Sequence, residues 1–290
     1  MYFNKPLVSV CIPCYKYIDL FKRCLKSILE QSYTNIEIII TDDSRDDNIK
    51  NLVSNEYLDN RIKYFKNEIQ LGSPANWNEG LKKAKGKYIK MMHHDDWFSE
   101  TDGLKMMVNQ MEDSQGDFGF CDCISVFPEH KKKHEIPKLF LKKWKKHNEI
   151  ILLANYVGPP SVTIFRNVPN KQILFDIKTK WLVDILFYYE YLSINKELIH
   201  IKSSLINVTA GHATQITNSQ INNTIELNEF YYVNDKLPKK VKEKFNFRIA
   251  SKIEFYILEF NVKFKKQALT IKIFTLLLKA TKFLFMKYIY

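Results

Sequence analysis

Two adjacent carboxylates, Asp95 and Asp96, close a short apolar run in the stretch 87–98, KYIKMMHHDDWF. Tyr88, Ile89, Met91 and Met92 read as a buried strand, and the run stops abruptly at His93 and His94. Carboxylates this close repel, and one keeps its proton unless a cation neutralises both. A hard divalent ion such as Mg²⁺ does this with few carboxylates plus substrate phosphates. The chemistry implied is a metal–diphosphate site at the carboxyl end of a strand. Taken alone, the stretch also fits Asp96 as the cap of the following helix.

The surrounding elements must position these groups. Residues 7–12 (LVSVCI) form a β-rich run closed by Pro13. A helix follows over about 19–31, with Leu20, Cys24, Leu25, Ile28 and Leu29 at helical spacing. Residues 36–41 (IEIIIT) are a second strand, met at once by Asp42, Asp43 and Ser44. A helix over about 47–58, a strand at 62–65, a loop at 67–74 and a helix at 76–84 lead to the strand 88–92. This alternation predicts an α/β fold with an open, parallel sheet. Ligands of such sheets bind beyond the carboxyl ends of the strands. Three of those ends carry polar groups: Pro13-Cys14-Tyr15, Asp42-Asp43-Ser44, and His93 to Asp96. Their convergence favours a site over a cap. Neither GxGxxG nor GxxxxGK[ST] occurs, so the dinucleotide and P-loop phosphate cradles are excluded.

Further on, the pattern predicts a helix at 100–113 and a strand at 117–127. The Lys-dense stretch 131–146 reads as a loop plus an amphipathic piece with a solvated face. Gly158-Pro159-Pro160-Ser161 breaks the chain before a strand at 162–165. A helix at 181–195 carries Asp184 in its first turn, a β stretch covers 199–208, and a polar loop begins at Gly211.

The 290 residues suffice for one large domain or two small ones. A hydrophobic content of 46% argues for a folded chain. The start leads directly into a strand, so no signal peptide is expected, and no stretch has the uncharged length of a membrane span. The five cysteines, an odd number in apolar segments, suggest reduced core thiols in a cytosolic setting. Cys11-x-x-Cys14 lacks a second pair at metal spacing and reads as structural. Of the formal charge of +12, residues 236–290 hold 14 basic and 3 acidic groups, leaving 30 and 29 elsewhere. Basicity confined to a tail argues against nucleic acid, which requires a basic face on the folded domain. Within 268–290 the only charges are Lys272, Lys279, Lys282 and Lys287. On a helix they share an arc of roughly 140°. Ile273, Phe274, Leu277, Leu278, Phe283, Leu284 and Phe285 cover much of the remainder. Such a helix lies in an anionic membrane interface; packing on the domain or on a second subunit is the alternative.

Val8-Ser-Val-Cys-Ile-Pro-Cys-Tyr15, Ile38-Ile-Ile-Thr-Asp-Asp-Ser44, the loop 67–72, Asn76-Trp-Asn-Glu-Gly80 with Gly86-Lys-Tyr-Ile89, and His93-His-Asp-Asp96 occur in order at normal spacing. Together they resemble the GT-A family 2 glycosyltransferases over about the first hundred residues. The resemblance is looser from 120 to 215, and the tail lies outside it. It implies a GT-A, Rossmann-like, mostly parallel sheet with flanking helices, plus a C-terminal helical basic tail. Residues 1–100 would be the nucleotide-sugar half, 101–215 the acceptor half and 216–290 the membrane-association tail.

The resemblance also implies inverting transfer from a nucleotide-sugar, with Mn²⁺ or Mg²⁺ as cofactor. Pro13 and Tyr15 stand where the family packs the base, and Asp43 where it binds uracil. A carboxylate there accepts the base N3–H. Asn76 belongs to the donor side. Asp95 and Asp96 match the metal and diphosphate carboxylates, while His93 takes the place of a leading Asp. Asp184 stands where the family places its catalytic base, with Val183 in place of a Glu; Asp176 is the second candidate, and helix-dipole placement is the structural alternative. His212 and Gln215 resemble a late loop closing on the diphosphate. The implied setting is a glycan or lipid-linked acceptor in bacterial surface polysaccharide synthesis, on the inner face of the cell membrane. Homo-oligomerisation stays open. The rival readings are a sugar nucleotidyltransferase, which would want a glycine-rich loop after the first strand, and an inactive membrane-associated scaffold.

Overall fold

The computed structural model describes residues 5–134, 136–144, 147–168, 173–194, 197–211, 223–243 and 245. Its centre is built from the runs that carry no solvent-facing alternation. Strands β1 (Val8–Cys14), β2 (Ile36–Asp42) and β4 (Tyr88–Met91) are buried at every position, as strands covered on both faces must be. With β3 (Ile62–Lys66) they form the parallel order β3-β2-β1-β4. Helices α1 (Ile18–Leu29), α2 (Asn48–Glu56) and α3 (Ala75–Lys83) make the crossovers. The α1 stripe of Phe21, Cys24, Leu25 and Ile28 is the face laid on the sheet.

The sheet continues beyond β4 with a change of direction. Strand β8 (Thr163–Arg166) pairs antiparallel with both β4 and β6 (Phe118–Val126). Strand β9 (Leu198–Thr209) runs parallel to β6 and receives the short β5 (Trp97–Phe98) antiparallel at its far edge. One nine-stranded sheet therefore takes strands from both sides of residue 100. The flanking helices are α4 (Gly103–Ser114), α5 (Lys138–Trp144), α6 (Val183–Ile194) and α7 (Asn223–Lys236). Two short 3₁₀ turns cover Asn148–Leu153 and Pro160–Val162.

Two local expectations change, while the amphipathic piece of the Lys-dense stretch is found as α5. Residues 131–134 are a strand, β7 (Lys131–His134), pairing with β6 through backbone bonds that leave its lysines exposed. The piece after it is α5, which buries Phe140 and Trp144. Helix α4 starts at Gly103, because Gln31 reaches across to hold the preceding turn. Its amide donates to the Glu100 carbonyl at 2.9 Å, and its oxygen accepts the Leu104 N–H at 2.8 Å. Asp96 is thus no helix cap.

All five cysteines are buried free thiols. Cys11 and Cys14 are three residues apart on β1 and so face opposite sides of the sheet. Burial pushes the Cys121 and Cys123 thiols up to about 12, which keeps them protonated. The amphipathic tail read from 268–290 lies outside the described residues. Among the described residues no helix is long and apolar enough to cross a membrane.

Candidate active site

Where β4 ends, the Met92 N–H donates to the Cys11 carbonyl at 2.9 Å, and the Asp96 N–H turns back to the His93 carbonyl at 3.0 Å. This tight turn gathers one ligand atom each from His93, Asp95 and Asp96 within 4.8 Å of one another. Burial lowers the His93 pKa to about 4, so the ring is neutral at pH 7. Its Nε2 is shut from solvent and has no hydrogen-bond partner among the described residues. Burial, and then Asp95 beside it, hold the Asp96 carboxyl well above the usual carboxylate range. An unbonded imidazole nitrogen beside two crowded carboxylates is a donor set that a divalent cation satisfies. The residues present fit a metal ion.

The triad rests on groups from distant parts of the chain. Ser161 accepts the His93 N–H at 2.9 Å, and its hydroxyl donates to the Asp96 carboxylate. The Thr209 N–H donates to Asp96 Oδ1 at 2.9 Å, and the Thr209 hydroxyl donates to the Asp95 carbonyl. Arg23 of α1 donates to that same carbonyl at 2.9 Å and to Thr209 Oγ1 at 3.0 Å, with its guanidinium 3.5 Å over the Trp97 ring. Beneath lies Lys90, fully buried on β4. Its ammonium donates to the Met91 carbonyl at 2.7 Å and to the Ser161 carbonyl. Burial lowers its pKa to about 8.

The ends of β1 and β2 form the other wall. Asp43 is 4% exposed, and its Oδ1 accepts Asn67 Nδ2 at 2.9 Å and the Leu71 N–H at 2.8 Å. Among the described residues its Oδ2 accepts only the Gly72 N–H, at 2.8 Å. A carboxylate has about four lone-pair sites, so among the described residues one acceptor position stays open on Oδ2. Asp42 is committed to the Ser44 N–H and the Tyr64 hydroxyl. Asn76 is occupied on every side: its amide donates to the Cys14 and Thr41 carbonyls, and its oxygen accepts Asn67. It binds these strand ends together and presents no free polar atom.

Pro13 is buried, with its carbonyl bonded to the His94 ring, and Tyr15 is partly exposed. Lys16 and Tyr17 follow at φ 56° and 45°, two successive non-glycine residues in the left-handed region. That strained turn is held by the Lys16 N–H to Ser44 Oγ at 2.8 Å. It swings the Tyr17 ring nearly parallel to His94.

Asp184, in the first turn of α6, stands apart from the triad. Its Oδ1 is buried without a hydrogen-bond partner among the described residues, and burial raises its pKa to about 7. Two routes lead from it to the triad. A chain of rings runs His93–Trp77–Phe175–Phe187, with centroids 4.6, 5.1 and 4.0 Å apart, and Phe187 lies one turn along α6. Also, the Tyr188 hydroxyl donates to the Gly158 carbonyl at 3.0 Å, at the head of the turn that carries Ser161. Asp176 is spent on structure, bonded to the Lys178 N–H, the Tyr232 hydroxyl and Lys236. His212 and Gln215 lie outside the described residues.

His93 as a candidate ligand, with Ser161, Lys90, Arg23 and Thr209 behind it, is what sequence reasoning missed. The one available signal was a histidine adjoining two carboxylates; the others act across long separations and carry no local motif.

A parallel half-sheet ending in paired carboxylates and continued by antiparallel strands is the arrangement of the GT-A fold. The chain belongs to glycosyl transferase family 2, whose description it matches over residues 9–174. An uncharacterised glycosyltransferase of Haemophilus influenzae is 35% identical over 125 residues, 41% of this chain and 50% of that protein. The GalNAc(5)-diNAcBac-PP-undecaprenol beta-1,3-glucosyltransferase of Campylobacter jejuni is 37% identical over 93 residues, 31% of this chain and 30% of that protein. The aligned stretch thus spans half or less of these relatives' own lengths. Among solved structures, S. aureus TarS 1-349 in complex with UDP-GlcNAc aligns with a TM-score of 0.65 at 17% identity, covering 84% of this chain and 72% of that one. At that identity the likeness is one of fold.

Proposed function

We propose that the chain is an inverting glycosyltransferase moving a sugar from a nucleotide-diphosphate donor, a UDP-sugar, to a hydroxyl of a glycan or lipid-linked acceptor. The observation that carries this reading is the convergence of His93, Asp95 and Asp96 at the end of β4, within the family span. These three would hold a divalent cation, Mn²⁺ or Mg²⁺, which when bound supplies positive charge against the donor's diphosphate. Pro13 and Tyr15 flank the base, and the open position on Asp43 Oδ2 accepts its N–H.

Asp184 takes the proton of the acceptor hydroxyl. A carboxylate titrating at about 7 is matched to that task at neutral pH. The acceptor oxygen bonds to the anomeric carbon from the face opposite the diphosphate. The bond from that carbon to the diphosphate oxygen breaks, and its electron pair leaves with the diphosphate. A single displacement inverts the configuration.

The undecaprenol-linked substrate in the Campylobacter relative's name supports a lipid-linked acceptor and a role in surface polysaccharide synthesis. The lysine arc of the tail supports a place on the cytoplasmic face of the cell membrane. The test is calorimetry of UDP with and without Mn²⁺, followed by a turnover screen over UDP-, GDP- and dTDP-sugars. Mn²⁺-dependent UDP binding that disappears in Asp96→Ala is the expected result. Unchanged binding in that variant removes the metal reading, and binding with no turnover of any donor leaves a scaffold. For the tail, the full chain should float with anionic vesicles, and changing Lys272, Lys279, Lys282 and Lys287 to Gln should release it.

A further inference from the structure

The Asp184 Oδ1 is buried with no hydrogen-bond partner among the described residues. Its position is therefore set by its backbone, and so by whatever fixes the start of α6. That start is held from another helix. The Glu229 carboxylate, on α7 and 6% exposed, accepts three successive main-chain N–H groups: Lys180 at 2.7 Å, Trp181 at 2.9 Å and Leu182 at 2.9 Å. No ion pair to Glu229 occurs among the described residues; its partners are the peptide donors themselves. Charge-assisted bonds of this kind are roughly twice as strong as neutral ones, and an acidic group at a helix N-terminus also opposes the helix dipole.

The same helix grips the rest of the approach to α6. The Tyr232 hydroxyl and the Lys236 ammonium bind the Asp176 carboxylate, and Phe230 packs edge-on against Trp181 at 5.4 Å. Residues 176–182 are thus strapped to α7 immediately before Asp184.

We infer that Glu229 is a positioning residue for the reaction: through the N–H groups of residues 180–182 it fixes where α6 begins and hence where the Asp184 carboxylate stands. This rests on the reading of Asp184 as the base. Glu229 touches neither the triad nor the strand ends assigned to the donor. Its loss should slow the chemical step and spare donor binding.

The experiment compares full-length wild type with Glu229→Gln, Tyr232→Phe and Asp184→Asn, measuring transfer kcat, donor KM and calorimetric UDP affinity. Glu229→Gln is expected to lower kcat by about 10- to 100-fold, as a misplaced catalytic group does, with donor KM and UDP affinity held within about twofold. Tyr232→Phe, which loosens the same strap, should show the same split with a smaller fall, and it decides the matter if Glu229→Gln does not fold. An unchanged kcat, or a parallel fall in kcat and UDP affinity, overturns the inference. Asp184→Asn keeps the two readings separate. If that variant stays active, Asp184 is not the base. If it is dead while Glu229→Gln is unimpaired, only the role of Glu229 fails.

Discussion

The hydroxyl of Ser161 accepts the main-chain N–H of His93 at 2.9 Å across 68 positions of sequence, and turns its own proton to Asp96. One oxygen thereby holds the backbone of one triad member and the carboxylate of another. Ser161→Ala strips this partner from the His93 N–H and leaves Asp96 to the Thr209 N–H. The expected result is a stability loss of about 1–3 kcal/mol and Mn²⁺ affinity weakened by about tenfold or more. A thermal melt alongside a Mn²⁺ titration checks both; full affinity in the folded variant would show that the triad holds its shape alone.

His93→Ala tests the third ligand directly. The variant loses an imidazole nitrogen that is neutral at pH 7 and unbonded among the described residues. Mn²⁺ affinity should fall by about tenfold or more; the ring's packing on Trp77 is lost as well, so a thermal melt is read alongside to separate ligand loss from packing loss. Electron paramagnetic resonance of free Mn²⁺ gives the affinity without relying on turnover. An affinity equal to wild type would return the site to Asp95 and Asp96 alone.

Asp184→Asn should abolish most transfer, a loss of about 10²- to 10⁴-fold for a general base, with UDP affinity retained. In the wild type kcat should fall as the pH drops through about 7, because the base is then protonated. The stability effect has the opposite sense. With the folded pKa raised above the unfolded one, the native state binds the extra proton, so stability declines as pH rises between those two values. Asp184→Asn should therefore be the more stable protein at pH 8, by on the order of 1–3 kcal/mol. Denaturant titrations at pH 5 and pH 8 measure the difference.

Lys90 predicts a dependence of the other sign. Its folded pKa, about 8, lies below its ordinary value, so the unfolded chain binds the extra proton between the two. Stability from this group rises with pH across that window. Relative to Lys90→Met, the wild type should gain on the order of 1–3 kcal/mol on going from pH 7 to pH 10. A constant difference between the two proteins would mean that Lys90 keeps its ordinary pKa in the fold.

The parallel half of the fold was legible because its strands are uninterrupted apolar runs and α1 repeats its apolar residues every three or four positions. The abrupt change from Met92 to His93 marked the strand end where the triad stands. The second half was harder for physical reasons. β7 is written in lysines, whose backbone pairs while the side chains stay in water. Lys90 sits in an apolar run, and nothing local shows that its ammonium is bonded inward. Ser161, Thr209 and Glu229 work through main-chain N–H groups, which every non-proline residue possesses, so the partners leave no mark on sequence spacing. Asn76, read toward the donor, is consumed by backbone carbonyls that sequence cannot place.

The packing of Trp77 against His93, at 4.6 Å between ring centroids, gives the site an optical reporter of its own. Indole emission is quenched by a paramagnetic ion at short range, and His93, one of the residues that would hold Mn²⁺, packs on that ring. Occupancy of the triad can then be followed in the unlabelled protein by fluorescence. Diamagnetic Mg²⁺ would fill the same site and leave Trp77 bright, so competition between the two ions reads as recovery of light.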